Sequence, residues 1–126
     1  MSDKKSKKTS YAMKEEGAIK QVIEASQLKD RAKQLLKSYL CSDFGFQLKY
    51  KDEITTLLAE HISNTNMYSN IMTNILLSDS KITDKKTGEQ TIIVEQQNFE
   101  LISAYLTIIA GCENELDKLG ISMRVH

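Results

Sequence analysis

The chain has 126 residues, 40% hydrophobic and 27% charged, with acidic and basic groups in equal number. That length supports one domain around a single modest core, and the composition is globular rather than fibrous or disordered. No run approaches the ~18 apolar residues of a membrane span and the basic start lacks the apolar stretch of a secretion signal, so a cytoplasmic protein is expected.

The neutral total hides an asymmetry. Residues 1–40 carry ten Lys/Arg against five Asp/Glu, a balance of +5, and residues 41–126 carry seven against twelve, a balance of −5. A basic front and an acidic back fit an anionic partner at the front, head-to-tail contact between copies, or simply a solvated lysine-rich start. The two cysteines, Cys41 and Cys112, are far apart and outside any CxxC spacing. With only His61 and His126 besides, no metal set is expected, and both thiols are expected to be inert and buried. Proline is absent, which suits a helical chain because it removes the strongest helix breaker.

Residues 1–12, with Lys4, Lys5, Lys7 and Lys8, show no apolar periodicity and read as a basic disordered tail. Everything after it, 13–126, reads as one helical domain. From 13 to 41 the residues Ile19, Val22, Ile23, Leu28, Ala32, Leu35, Leu36, Tyr39 and Leu40 recur at three and four positions, as one helix face requires. The polar side of this basic region carries Lys20, Lys29, Arg31, Lys33 and Lys37. Gly17, or the phase slip at Ser26-Gln27, leaves open whether it is one helix or two. Cys41 to Phe46 reads as a connector whose Phe44 and Phe46 tuck into the core.

A second helix is predicted over 52–77, opening on Asp52-Glu53, whose carboxylates suit the positive end of the helix dipole. Its buried face reads Ile54, Leu57, Leu58, Ile62, Tyr68, Ile71, Met72, Ile75 and Leu76, and Asn64-Thr65-Asn66 is a poor helix-forming patch within it. Two β-prone runs flank Asp84-Lys85-Lys86-Thr87-Gly88-Glu89, which reads as a hairpin over 81–95 with Gly88 supplying positive φ. A last helix follows over 98–119, with Asn98 as N-cap and Gly120-Ile121 as a Schellman-type stop. The fold class is therefore mainly α, with three or four helices and one small β-hairpin before a long C-terminal helix.

The last helix carries more apolar surface than one neighbour covers. One row is Phe99, Ile102, Leu106, Ile109 and Leu116, with Glu113 as its polar interruption; a second is Leu101, Tyr105, Ile108, Cys112 and Leu119. Two rows fit a central core helix, or a helix packed on its own domain on one side and on another subunit on the other. The first row is the candidate oligomer interface.

No catalytic constellation emerges. The five glycines are scattered and form no phosphate-binding loop. Glu60-His61-Ile62-Ser63-Asn64 is not a zinc motif, and His61 reads as an exposed or partly buried structural histidine. Glu113 and Glu115, two apart on a helix, point in different directions, and neither cysteine has a base assigned to it. No enzyme and no cofactor are expected. What remains is binding, with Lys20, Lys29, Arg31, Lys33 and Lys37 as phosphate contacts that would give salt-sensitive affinity without sequence specificity.

The order of elements, Asn98-Phe99 at the last helix start, and the close Leu119-Gly120-Ile121-Ser122-Met123-Arg124 resemble the small terminase subunits of tailed double-stranded-DNA bacteriophages. That family often places Asn-Pro where this chain has Asn98-Phe99. The resemblance runs from about Leu40 to Arg124, and it is carried by order and spacing rather than by any single motif. It implies a non-enzymatic DNA-packaging subunit, a homo-oligomeric ring that binds double-stranded viral DNA and delivers it to the large terminase subunit in the host cytoplasm, as a phage or prophage protein. The alternative is a small helical adaptor or regulator that binds a protein partner through its C-terminal helix.

Overall fold

The computed structural model describes residues 10–122; most of the expected tail, and Met123 and Arg124 of the closing motif, lie outside them. In chain order the elements are β1 (Ser10–Lys14), α1 (Glu15–Leu40), α2 (Phe44–Leu76), β2 (Lys81–Thr83), β3 (Gln90–Glu95) and α3 (Gln96–Leu119). The protein is mainly helical with a small antiparallel sheet before its C-terminal helix, in agreement with the fold class read from the sequence. α2 is central and packs on both α1 and α3.

The sheet has a strand the periodicity did not reveal. Its order is β1-β3-β2, with Tyr11 paired to Val94 and Met13 to Ile92. Residues 10–12, read as part of the tail, are therefore extended and hydrogen-bonded. Tyr11 stacks edge-on against Phe99 with ring centroids 4.6 Å apart, and Met13 packs on the core, so alternate side chains point inward as a strand requires. The β2–β3 turn closes as expected: the Asp84 amide donates to Glu89, the Gly88 amide to Asp84, and Gly88 takes φ 75°.

α1 is one continuous helix across Gly17 and Ser26-Gln27. The phase slip has a different cause: Ala18, Ala25, Leu28, Ala32, Leu35 and Tyr39 form the buried face, whereas Ile19, Ile23, Leu36 and Leu40 are exposed. α2 begins eight residues before the expected start, because the Asp43 carboxylate accepts from the Gly45 and Phe46 amides and caps the helix there. A kink at Tyr50 (φ −111°, ψ 15°) lies next to the expected boundary, and the helix runs on through Asn64-Thr65-Asn66. Starting at Phe44 turns that ring outward, 70% exposed, while Phe46 packs inward; Ile62, expected in the core, is exposed. α3 starts at Gln96, fed directly from β3, so Asn98 is inside the helix rather than its cap. Its end is a Schellman motif: the Gly120 amide donates to Asp117 O (3.0 Å) and the Ile121 amide to Leu116 O (2.9 Å), with Gly120 at φ 101°.

Two apolar clusters fill the interior. One, at the sheet end, gathers Ala25, Leu28, Tyr68, Met72, Ile92, Val94, Ile102 and Ile109. The other, at the α1–α2 turn, gathers Leu35, Tyr39, Ile54, Leu58, Leu116 and Ile121. Between these clusters each helix also contributes polar side chains to the interior.

Candidate nucleic-acid interface and the polar layer behind it

Between the clusters, α1 contributes Arg31, α2 contributes His61 and Thr65, and α3 contributes Glu113. The Glu113 carboxylate accepts from Arg31 Nη2 through one oxygen and from His61 Nε2, at 2.8 Å, through the other. Because a carboxylate only accepts, the shared proton sits on Nε2, and Nδ1 faces the Thr65 hydroxyl at 3.5 Å. His61 is 0% exposed, a correction to the exposed or partly buried histidine read from the sequence. Its position one turn from Thr65 and Leu58 turns it to the centre of the bundle. Burial pushes the Glu113 carboxyl up, but the hydrogen bonds and charges of His61 and Arg31 outweigh it and hold the group below the ordinary glutamate value.

A His–carboxylate pair can serve as an acid–base dyad, but here the imidazole is sealed from solvent and both its nitrogens face protein groups. The geometry ties three helices together rather than presenting a proton to a substrate. Cys112, beside Glu113 in sequence, is buried, and burial with the charges of Glu60 and Glu113 raises its thiol pKa. Cys41 is exposed at the C-terminal end of α1, so the expectation of two buried thiols holds for Cys112 alone. Tyr68 OH donates to Glu24 at 2.7 Å, and burial followed by that carboxylate pushes the phenol well above its usual value.

The five candidate DNA contacts do not form one patch. On a helix advancing about 100° per residue, Lys29, Lys33 and Lys37 fall within an arc of about 80°, while Lys20 and Arg31 lie on another side of α1. Lys29, Lys33 and Lys37 are exposed, and among the described residues none has an ion-pair partner. Lys20 sits 3.6 Å from Glu16, four residues before it. Arg31 is committed to Glu113. Lys29 and Lys33 flank an open groove of about 250 Å³ between α1 and α2, floored by Ala32, Leu36 and Ile62.

The candidate oligomer interface is also redistributed. Ile102, Ile109 and Leu116 are buried inside the protomer, and Phe99 and Leu106 pack against the sheet-end cluster. Ile102, Ile109 and Leu116 are therefore core positions rather than interface ones, because α2 lies along that side of α3, while Phe99 and Leu106 are half-buried. Of the second row, Cys112 is buried, Leu101, Tyr105 and Leu119 are half-buried, and Ile108 is exposed.

No helix among the described residues is long and apolar enough to cross a membrane. Among those residues no group of His, Cys, Asp or Glu side chains is placed to hold a metal ion. Comparison of the chain with protein-family models, with curated proteins and with solved structures returns no match.

Proposed function

We propose that the protein is a non-enzymatic DNA-packaging subunit of the small-terminase type, which assembles as a homo-oligomer, binds double-stranded DNA and presents it to a large terminase subunit in the host cytoplasm. The observation that carries the reading is the edge of Lys29, Lys33 and Lys37. Three exposed ammonium groups, without an ion-pair partner among the described residues, recur every turn about 6 Å apart along the helix, where phosphates can displace their water. The binding site is thus narrowed from five basic residues to these three, with Arg31 reassigned to structure. The order of helix pair, hairpin and closing helix, ending on Leu119-Gly120-Ile121-Ser122, supports the same reading.

The test is duplex-DNA affinity across a salt series. Replacing Lys29, Lys33 and Lys37 together with alanine is expected to reduce the slope of log affinity against log salt by about 2–3, roughly 0.9 for each phosphate no longer neutralised. Replacing Lys20 should change it little. A slope that does not move would remove the α1 edge from any DNA surface.

A further inference from the structure

We propose that the groove between α1 and α2 seats an amphipathic helix of a protein partner. Apolar anchors of that helix meet Leu36, Leu40 and Ile62, and carboxylates along one of its edges meet Lys29, Lys33 and Lys37. The groove holds about 250 Å³ and is open to solvent, smaller than the ~300–1,000 Å³ of sites that enclose a small molecule. Its floor is apolar and wet. Leu36 and Ile62, from opposite helices, are 40% and 41% exposed, and Leu40, one turn beyond Leu36, is 61% exposed. Single exposed leucines are ordinary, but a concave apolar floor shared by two helices marks an interaction surface.

The charges around the groove select its occupant. The lining holds two ammonium groups, Lys29 and Lys33, and no carboxylate, and exposed Lys37 continues the same edge by one turn. None of the three has an ion-pair partner among the described residues. Exposed Asp30 lies about 60° further round α1 than Lys33, away from α2. The α2 wall contributes Ile62, Thr65 and Asn66, which carry no charge. A complementary ligand is therefore negative along one edge and apolar beneath.

Duplex DNA meets the first requirement but leaves Leu36 and Ile62 in water. A second copy docked by the same face sets lysine against lysine. An acidic amphipathic helix meets both requirements. The edge from Lys29 to Leu40 is about 17 Å long, or three turns, which matches the i, i+3/i+4, i+7 anchors of helix-in-groove recognition. The lysines are those assigned above to DNA phosphates, so the consequence for DNA rests on that reading. A helix in the groove covers the ammonium groups, and partner and DNA exclude one another.

The test uses the full chain and a fluorescent peptide of about fifteen residues, four helical turns, followed by anisotropy. The peptide carries leucine at three–four spacing and glutamate along one edge. It should bind at least tenfold more tightly than the same residues scrambled, or the same helix with lysine for glutamate. Leu36→Gln and Ile62→Gln together should weaken it at least tenfold, with duplex-DNA affinity and melting temperature unchanged because both sites are already exposed. Replacing Lys29, Lys33 and Lys37 with alanine should weaken it about tenfold at low salt and little at high salt. Unlabelled peptide should displace DNA held by these lysines. Equal binding of either control peptide, indifference to the floor variant, self-association of the chain that the floor variant abolishes, or lysine-dependent DNA binding undisturbed by the peptide would each overturn it. If the lysine variant loses the peptide but keeps DNA, the DNA edge fails and the groove stands; if it loses DNA while wild type binds no peptide, the groove alone fails.

Discussion

Glu113 occupies a core-facing position of α3 between Ile109 and Leu116, with its side chain only 13% exposed. A carboxylate there is tolerated because one helix supplies a guanidinium and another an imidazole N–H, so its desolvation is offset by two charge-directed hydrogen bonds. Its folded pKa lies below the ordinary value, so as pH falls the unfolded chain takes the proton first. The stability it contributes is present above the unfolded glutamate pKa of about 4.3 and is lost as pH falls through the lower folded value. Glu113→Gln is expected to cost about 1.5–3 kcal/mol in urea denaturation at pH 7. Its deficit should shrink in acid as the wild-type carboxylate is protonated. Parallel stability curves for the two proteins down to pH 3 would assign the acid sensitivity elsewhere. The interruption at Glu113 was visible as a charge in an apolar row. Its partners were not, because Arg31 and His61 lie 82 and 52 positions away and periodicity reports a face without reporting what lies opposite.

At the scale of elements, boundaries follow local chemistry where one signal is present and tertiary choice where two compete. Gly120 had no competitor: its left-handed φ and the apolar residue after it gave the end of α3 from sequence. Gly120→Ala should lower stability by about 1 kcal/mol, since the left-handed conformation crowds a β-carbon, and a thermal melt would show it. An unchanged melting temperature would mean that the last turn frays without consequence. α2 starts after Asp43 rather than at the expected Asp52-Glu53, because the extra turns bring Phe46 and Tyr50 onto the second apolar cluster and let Tyr39 OH donate to Gln47 O at 3.0 Å. β1 carries no such signal. Five residues become a strand because β3 presents an edge for them to pair with.

For the whole molecule, the decisive feature is that α2 lies between the other two helices, with an apolar cluster at each end and a polar layer between. The layer ties α1, α2 and α3 at one level and so opposes sliding of any helix by a turn. The apolar row Phe99, Ile102, Leu106, Ile109 and Leu116 belongs to this interior. Ile109 is 2% exposed, so Ile109→Asp buries an unpaired charge and should cost about 4 kcal/mol or more. The expected result is loss of the folded baseline in circular dichroism, and a variant that melts like wild type would show that the row is not core.

Helical class, the hairpin turn, the helix stop at Gly120 and the presence of two apolar rows on α3 were determined by sequence alone, since each depends on residues within a few turns of one another. Which row is covered, what Arg31 pairs with, and why a glutamate interrupts the core were decided by the tertiary structure. Those depend on the side of α3 and of α1 that α2 occupies. That choice is made by contacts between residues remote in the chain, whose individual energies are small and whose sum selects one packing.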